Sequence, residues 1–249
     1  MPIKLFSVII ALMIMAAIAQ AQEYVTDGLV VMYTMDKADI EGDIIKDVSG
    51  NGNDATIMGT LGSAEGVINE ALDFGGLANN YVEIPALGDW EEASVECWAL
   101  TRNLGITYQG IISTWQWTAG KVHFKFESNQ IQVDKNDGAK IVAPAITETW
   151  YHIIYTVDTG ANELKLYVDG EFIAQGTSGG TPQNMNERRI GSEHDGRWLD
   201  GMIDEVRLYN RVLDEDEVKR NFEVKSNRLA VEPDDKLAVS WGKIKKSEY

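Results

Sequence analysis

Residues 47–59, DVSGNGNDATIMG, concentrate oxygen donors at a regular spacing. Asp47, Ser49, Asn51 and Asn53 occupy alternate positions, with Gly50 and Gly52 between them. Two chemistries use such a pattern. Hard oxygen donors, with glycines that let backbone carbonyls turn inward, suit calcium, which takes roughly six to eight oxygens. The same residues also build a tight turn in which Asp and Ser side chains cap local amides. Asp47, Ser49, Asn51 and Gly52 imitate the start of an EF-hand loop. The bidentate glutamate that closes such a loop is replaced by Met58, and no helix flanks the stretch. An EF-hand is excluded, and the calcium and turn readings both stand. The histidines, His123, His152 and His194, lack a His-Glu-x-x-His spacing for zinc and a Gly-x-Ser-x-Gly elbow. His152, beside Trp150 and Tyr151, reads as a sheet residue.

The composition narrows the partners. The chain has 249 residues, is 44% hydrophobic and carries a formal charge of −17. Lys4 precedes an apolar run, residues 5–19, and Ala19-Gln20-Ala21 offers small residues at a signal-peptidase spacing. Residues 1–21 therefore read as a secretory signal peptide, too short in its apolar part for a span of about 20 residues. Export follows, to the periplasm, the cell surface or the medium. Removing the leader removes only Lys4, so −17 becomes −18. Such a chain repels nucleic acid and anionic lipid, but not divalent cations. One cysteine, Cys97, leaves no disulfide framework.

The elements that must position any site are short strands. LVVMYTM (residues 29–35), YVEIP (81–85), ASVECWAL (93–100), KVHFKFES (121–128), WYHIIYTVD (150–158) and MIDEVRLY (202–209) are strand-like. Val95, Cys97 and Ala99 share a face, as do Val122, Phe124 and Phe126 against His123 and Lys125. ELKLYVDGEFIAQ is a hairpin in which Asp169-Gly170 supplies a two-residue turn. One helix is expected in LDEDEVKRNFE, with Asp214 as N-cap, Glu217 completing a capping box and Val218 and Phe222 as its apolar stripe. Asp204 takes the parity of Met202, Val206 and Leu208. A core-side carboxylate there is costly unless paired or metal-bound, and a bulge at Asp204-Glu205 would turn it outward. The pattern predicts an all-β sandwich over residues 22–225 and an appendage over 226–249, with Trp241 and the basic cluster Lys243, Lys245 and Lys246.

The ordered set GLVVMYTMD, DVSGNGNDATIMG, GVINEALDFGG, YVEIP, ASVECWA, LKLYVDGE and RRIGSEHDGRWLDGMIDEVRLYNRVLDEDEV resembles the laminin G-like members of the concanavalin A-like lectin/glucanase superfamily, as found in exported bacterial proteins. The resemblance covers about residues 28–222. It implies a jelly roll of two antiparallel sheets with the first and last strands adjacent. It also implies a structural calcium near those strands, here joining Asp36, Asp47, Ser49 and Asn51 to Asp204. Some relatives are glycoside hydrolases with closely spaced carboxylates on one strand, about 5–5.5 Å apart for retention. Glu91, Glu92 and Glu96 have the wrong spacing, and Asp204 and Glu205 are adjacent, so no catalytic pair is expected.

Lectin-type sites stack a sugar on an aromatic ring and hold its hydroxyls with amides and carboxylates. Three stretches carry that mixture. Trp115 and Trp117 flank Gln116. Asn129, Gln130, Gln132 and Asp134 follow in the next stretch. His194, Asp195, Arg197 and Trp198 form the third. Trp98 and Trp150 are expected in the core, and Trp198 is weighed toward packing before the last strand. The ligand-binding expectation falls on Trp115, Trp117, Asn129, Gln132 and Trp198. The functional expectation is a secreted, non-catalytic module for a glycan or glycosylated surface. The alternative is a protein–protein adhesion module of the same fold.

Overall fold

The computed structural model describes residues 23–193 and 196–224. The expected signal peptide (1–21), the expected appendage (226–249) and the pair His194 and Asp195 lie outside the described residues. Among the described residues every strand pairing is antiparallel, and the main sheets form two layers.

The back layer runs Glu171–Gly176, Glu163–Val168, Tyr151–Asp158, Glu92–Thr101, Gly201–Tyr209, Glu70–Asp73 and Gly62–Glu65. Leu29–Tyr33 also pairs with Gly201–Tyr209, so the first and last strands are neighbours. The front layer has a four-stranded part, Gln109–Gly110, Val122–Glu127, Gln130–Lys135 and Lys140–Pro144. A six-stranded part contains Ile112–Ser113, Arg189–Ile190, Tyr81–Glu83 and Ala55–Met58. The fold is the all-β sandwich that the strand pattern predicts, with the jelly-roll form that the resemblance implies.

Period-two alternation builds the core between the layers. Val95, Cys97 and Ala99 face Val122, Phe124 and Phe126 across it, with Leu164, Leu166 and Val168 alongside. Asp169 and Gly170 take φ of 53° and 79°, the paired positive values of a two-residue hairpin turn. Trp98 is buried, though on the outer side of the back sheet against Phe222 and His152. Trp150, expected in the core, is only half-buried, because it stands just before its strand begins.

The last strand corrects one expectation. A bulge lies between Asp204 and Arg207, with Glu205 at φ 51°. The extra residue switches parity there. Ile203, Val206 and Leu208 enter the core, while Met202 does not. Asp204 pairs with Trp98 and Arg207 with Glu96, so these acids and Arg207 belong to the outer face. They stay buried because that face is itself covered by Tyr24, Val25 and helix Glu215–Glu223. The helix starts on the expected capping box, with both reciprocal hydrogen bonds formed. Val218 packs with Val25, Ile154 and Tyr209.

Candidate functional site

The outer face of the four-stranded part gathers the groups best placed to hold a ligand. Strand Val122–Glu127 sends its phenylalanines inward, which leaves His123 and Lys125 on the opposite side. The ring of Trp117 lies on His123 with centroids 3.8 Å apart and planes 20° from parallel. One face of the indole is thus fixed against the sheet, and the ring is still 55% exposed.

Beneath it sits a buried ionic cluster centred on Glu193. His123 Nδ1 lies 2.8 Å and Lys125 Nζ 3.5 Å from Glu193 Oε1, and Arg197 Nη1 lies 3.1 Å from Oε2. The His123 and Arg197 contacts are at ion-pair distance with angles outside the hydrogen-bonding range. Lys125 also reaches Glu127 at 3.3 Å. Tyr108 completes the cluster, with Arg197 Cζ 4.2 Å and Lys125 Nζ 5.0 Å from its ring centroid. Gly110 permits this approach. A Cβ there would stand 2.1 Å from the backbone of Ser192 and Glu193, so only glycine lets that loop lie on the sheet.

Burial would raise the Glu193 carboxyl, but His123, Lys125 and Arg197 outweigh it and hold it below the ordinary glutamate value. A carboxylate whose pKa is lowered on folding stabilises the fold above its unfolded value, about 4.3, and that contribution is lost as pH falls through the folded value. Acidification below about pH 4 is therefore expected to release the loop and unstack Trp117. Its fluorescence followed from pH 7 to pH 2, against Glu193→Gln, checks this. An identical acid transition in the variant would refute the role given to Glu193.

The other expected binding residues divide. Gln132 pairs across from Lys125, on the same face, and its buried Oε1 has no partner among the described residues. Asn129 is exposed in the hairpin turn beyond Glu127, with φ of 61° following Ser128 at 54°. Trp115 is 47% exposed on the loop that carries Trp117. Trp198 lies elsewhere, half-buried and stacked on Tyr81 with centroids 6.1 Å apart. Sequence reasoning passed over Tyr108 and Glu193. The alternation of His123, Lys125 and Glu127 was a legible signal for the face they complete.

The oxygen-rich turn is knitted by its own hydrogen bonds. Asp47 Oδ1 accepts from the amides of Met32 and Ser49, and Oδ2 accepts from Asn53. Ser49 Oγ and Asn51 Nδ2 donate to Val30 O, tying the turn to the first strand. Asp36 and Asp204 meet at a different loop. Asp36 accepts from Asn69 Nδ2 and Glu70 N, and Asp204 Oδ2 from Val67 N and Ile68 N. Burial, with Asp36 as a nearby like charge, pushes Asp204 up to about 7 against the pull of those amides. Among the described residues, no group of three or more His, Cys, Asp or Glu side chains is placed to hold a metal ion.

A family model described as the concanavalin A-like lectin/glucanases superfamily matches residues 74–219, more than half of the chain. The chain belongs to this superfamily. Among curated proteins, none matches it in sequence. Solved structures share the fold. Domain 4 of AbnA, a GH43 extracellular arabinanase from Geobacillus stearothermophilus solved with arabinotriose, superposes with a TM-score of 0.62 at 20% identity, over 77% of this chain and 96% of that one. The binding domain of Paraclostridial Mosquitocidal Protein 1 gives 0.64 at 17%, over 79% and 52%. The botulinum neurotoxin serotype D binding domain gives 0.65 at 11%, over 80% and 51%. This superfamily member thus spans about half of each toxin domain. A Trypanosoma rangeli sialidase shares the fold as well, at 15% identity over 34% of its length. At these identities the likeness establishes the fold and nothing of the ligand. Among the described residues, no helix is long and apolar enough to cross a membrane.

Proposed function

We propose that this chain is an exported, non-catalytic carbohydrate-recognition module whose contact surface is the Trp117 face of the front sheet. One observation carries the reading: an indole stacked on the buried His123 of the sheet and still more than half exposed. Sugars pack the apolar face of a ring against such a surface. Arg197 and Tyr108, both partly exposed, stand beside it to meet hydroxyls, over the buried Lys125 and Gln132. The chemistry of the cluster also argues against hydrolysis there. A general acid needs a raised carboxyl pKa, whereas His123, Lys125 and Arg197 hold Glu193 below the ordinary glutamate value despite its burial. The export address rests on residues 1–21. The test is glycan binding by wild type and Trp117→Ala. A second reading, protein adhesion, draws on Phe172 and Ile173, exposed side by side on the edge strand Glu171–Gly176.

A structural calcium belongs to the same proposal, with Asp36 and Asp204 as the acids that would hold it. Asp204 Oδ1 and Glu205 Oε1 are buried oxygens without a hydrogen-bond partner among the described residues, and hard carboxylate oxygens are calcium's donor chemistry. Asp47, Ser49 and Asn51, expected as further ligands, are instead taken up in the turn at Asp47 by hydrogen bonds to the first strand and to local amides. Calcium at about one hundred times its Kd is expected to raise the melting temperature by roughly 5–10 °C over EDTA, and Asp204→Asn to remove the difference. Equal melting with and without calcium sinks the ion.

A further inference from the structure

A cleft with mixed polar and apolar walls opens beside the Trp117 loop. It has a volume of about 590 Å³ and is lined chiefly by Asp89, Gln116, Lys121, Asn184, Asn186 and Glu187. That size falls within the range of small-ligand pockets, roughly 300–1,000 Å³.

The walls are held in place before any ligand arrives. Asp137 accepts from Lys135 Nζ at 2.6 Å, Gly120 N at 2.9 Å and Thr181 N at 3.0 Å. One carboxylate thereby ties the loop before strand Val122–Glu127 to the loop before Gln183–Asn184. Lys135 Nζ adds a bond to Thr181 O at 2.8 Å. Gly120 takes φ of 82°, and a Cβ there would sit 2.5 Å from Pro182 O, so the two loops meet backbone to backbone.

The lining is a set of directed polar groups. Asn184 Nδ2 donates to Asp89 Oδ1 at 2.5 Å, Gln116 Nε2 donates to Glu187, and Lys121 Nζ donates to Asn186 O at 2.9 Å. Each amide has a second N–H, and each carboxylate has further lone pairs. Paired donors and acceptors of this kind match adjacent hydroxyls. Two carboxylates against one ammonium leave the cleft net negative, which disfavours an anionic ligand. Gln116 is shared, since it lines the cleft and stands between Trp115 and Trp117.

We propose that this cleft is a second subsite for a neutral sugar, so that the protein reads several consecutive rings of an oligosaccharide running from Trp117 past Gln116 into the cleft. The inference rests on the Trp117 face being a carbohydrate surface. It predicts a dependence on chain length that a single stacking residue does not produce.

The experiment is calorimetric titration with neutral arabino-, xylo-, malto- and cello-oligosaccharides of one to six units. Wild type, Asn184→Ala, Glu187→Ala and Trp117→Ala are compared. Side-chain amide signals of the 15N-labelled wild type are followed in parallel. For the ladder that binds, wild-type affinity should rise about tenfold from the shortest binding oligomer to the longest. Asn184→Ala and Glu187→Ala should lose that rise and keep the affinity for short oligomers. The amides of Gln116, Asn184 and Asn186 should shift only with the longer ones. Affinity independent of length, cleft variants equal to wild type at every length, or no neutral ladder bound at all would each overturn the subsite. Binding unchanged in Trp117→Ala, yet weakened in Asn184→Ala, would keep the cleft and overturn the Trp117 reading instead.

Discussion

Glu96→Ala will cost about 3–5 kcal/mol of folding stability, the scale for removing one partner of a buried ion pair. Glu96 is fully buried on the outer side of the back sheet. Its Oε1 lies 2.8 Å from Arg207 Nη1 and 3.0 Å from His152 Nε2, and its Oε2 accepts from Asn221 Nδ2 at 2.6 Å. Burial alone would raise this carboxyl, but Arg207 and His152 outweigh it and hold it ionised. Asn221 passes the connection on. Its Oδ1 accepts from Val25 N at 2.8 Å, and Tyr209 Oη donates to Val25 O at 3.1 Å. One carboxylate therefore joins the central strand, the last strand, the helix and the amino-terminal segment. Removing it leaves the Arg207 guanidinium buried with Glu205 as its remaining carboxylate partner. Against a typical total of about 5–15 kcal/mol, the loss should be plain in urea unfolding. A change below about 1 kcal/mol, the scale of an exposed pair, would show that the cluster is not a structural staple.

This cluster also explains why carboxylates brought together on the sheet are no hydrolytic pair. Glu96 and Glu205 converge on Arg207 beneath the helix, shut away from any substrate.

Trp117→Ala is expected to weaken glycan binding roughly ten- to a hundredfold. The estimate follows from about 1.5–3 kcal/mol for covering a large apolar side chain. Stability should change little, because more than half of the ring is exposed. Trp198→Ala gives the contrast. Its ring is stacked on Tyr81, so its loss should show in stability and not in binding. Isothermal titration with a bound polysaccharide, beside thermal melts, separates the two. The reverse pattern would move the site to Trp198.

The strands were legible because alternation records which face is buried. Val122, Phe124 and Phe126 against His123 and Lys125 placed both the core and the candidate face. The capping box at Asp214 and the Asp169-Gly170 turn are local signals, and both formed as read. Simple parity failed at Asp204, where the bulge weighed as its alternative forms and shifts every later residue by one, as the pairing with strand Glu92–Thr101 shows. The ionic clusters were hidden for another reason. Glu193 reaches His123 across seventy residues, and Asn221 reaches Glu96 across 125. Such partners share no spacing in the chain. The pattern Asp47-x-Ser49-x-Asn51 showed a second limit, since oxygens that suit a cation suit backbone amides equally well. In the fold the amides hold Asp47.

Sugar binding on the exposed indole of Trp117 is what every binding prediction above depends on. The most direct measurement is binding of residues 22–249, wild type and Trp117→Ala, to a broad panel of immobilised polysaccharides. Wild type is expected to bind at least one of them, and the variant to bind it at least tenfold more weakly. Binding to none, or equal binding by the two proteins, would contradict that expectation.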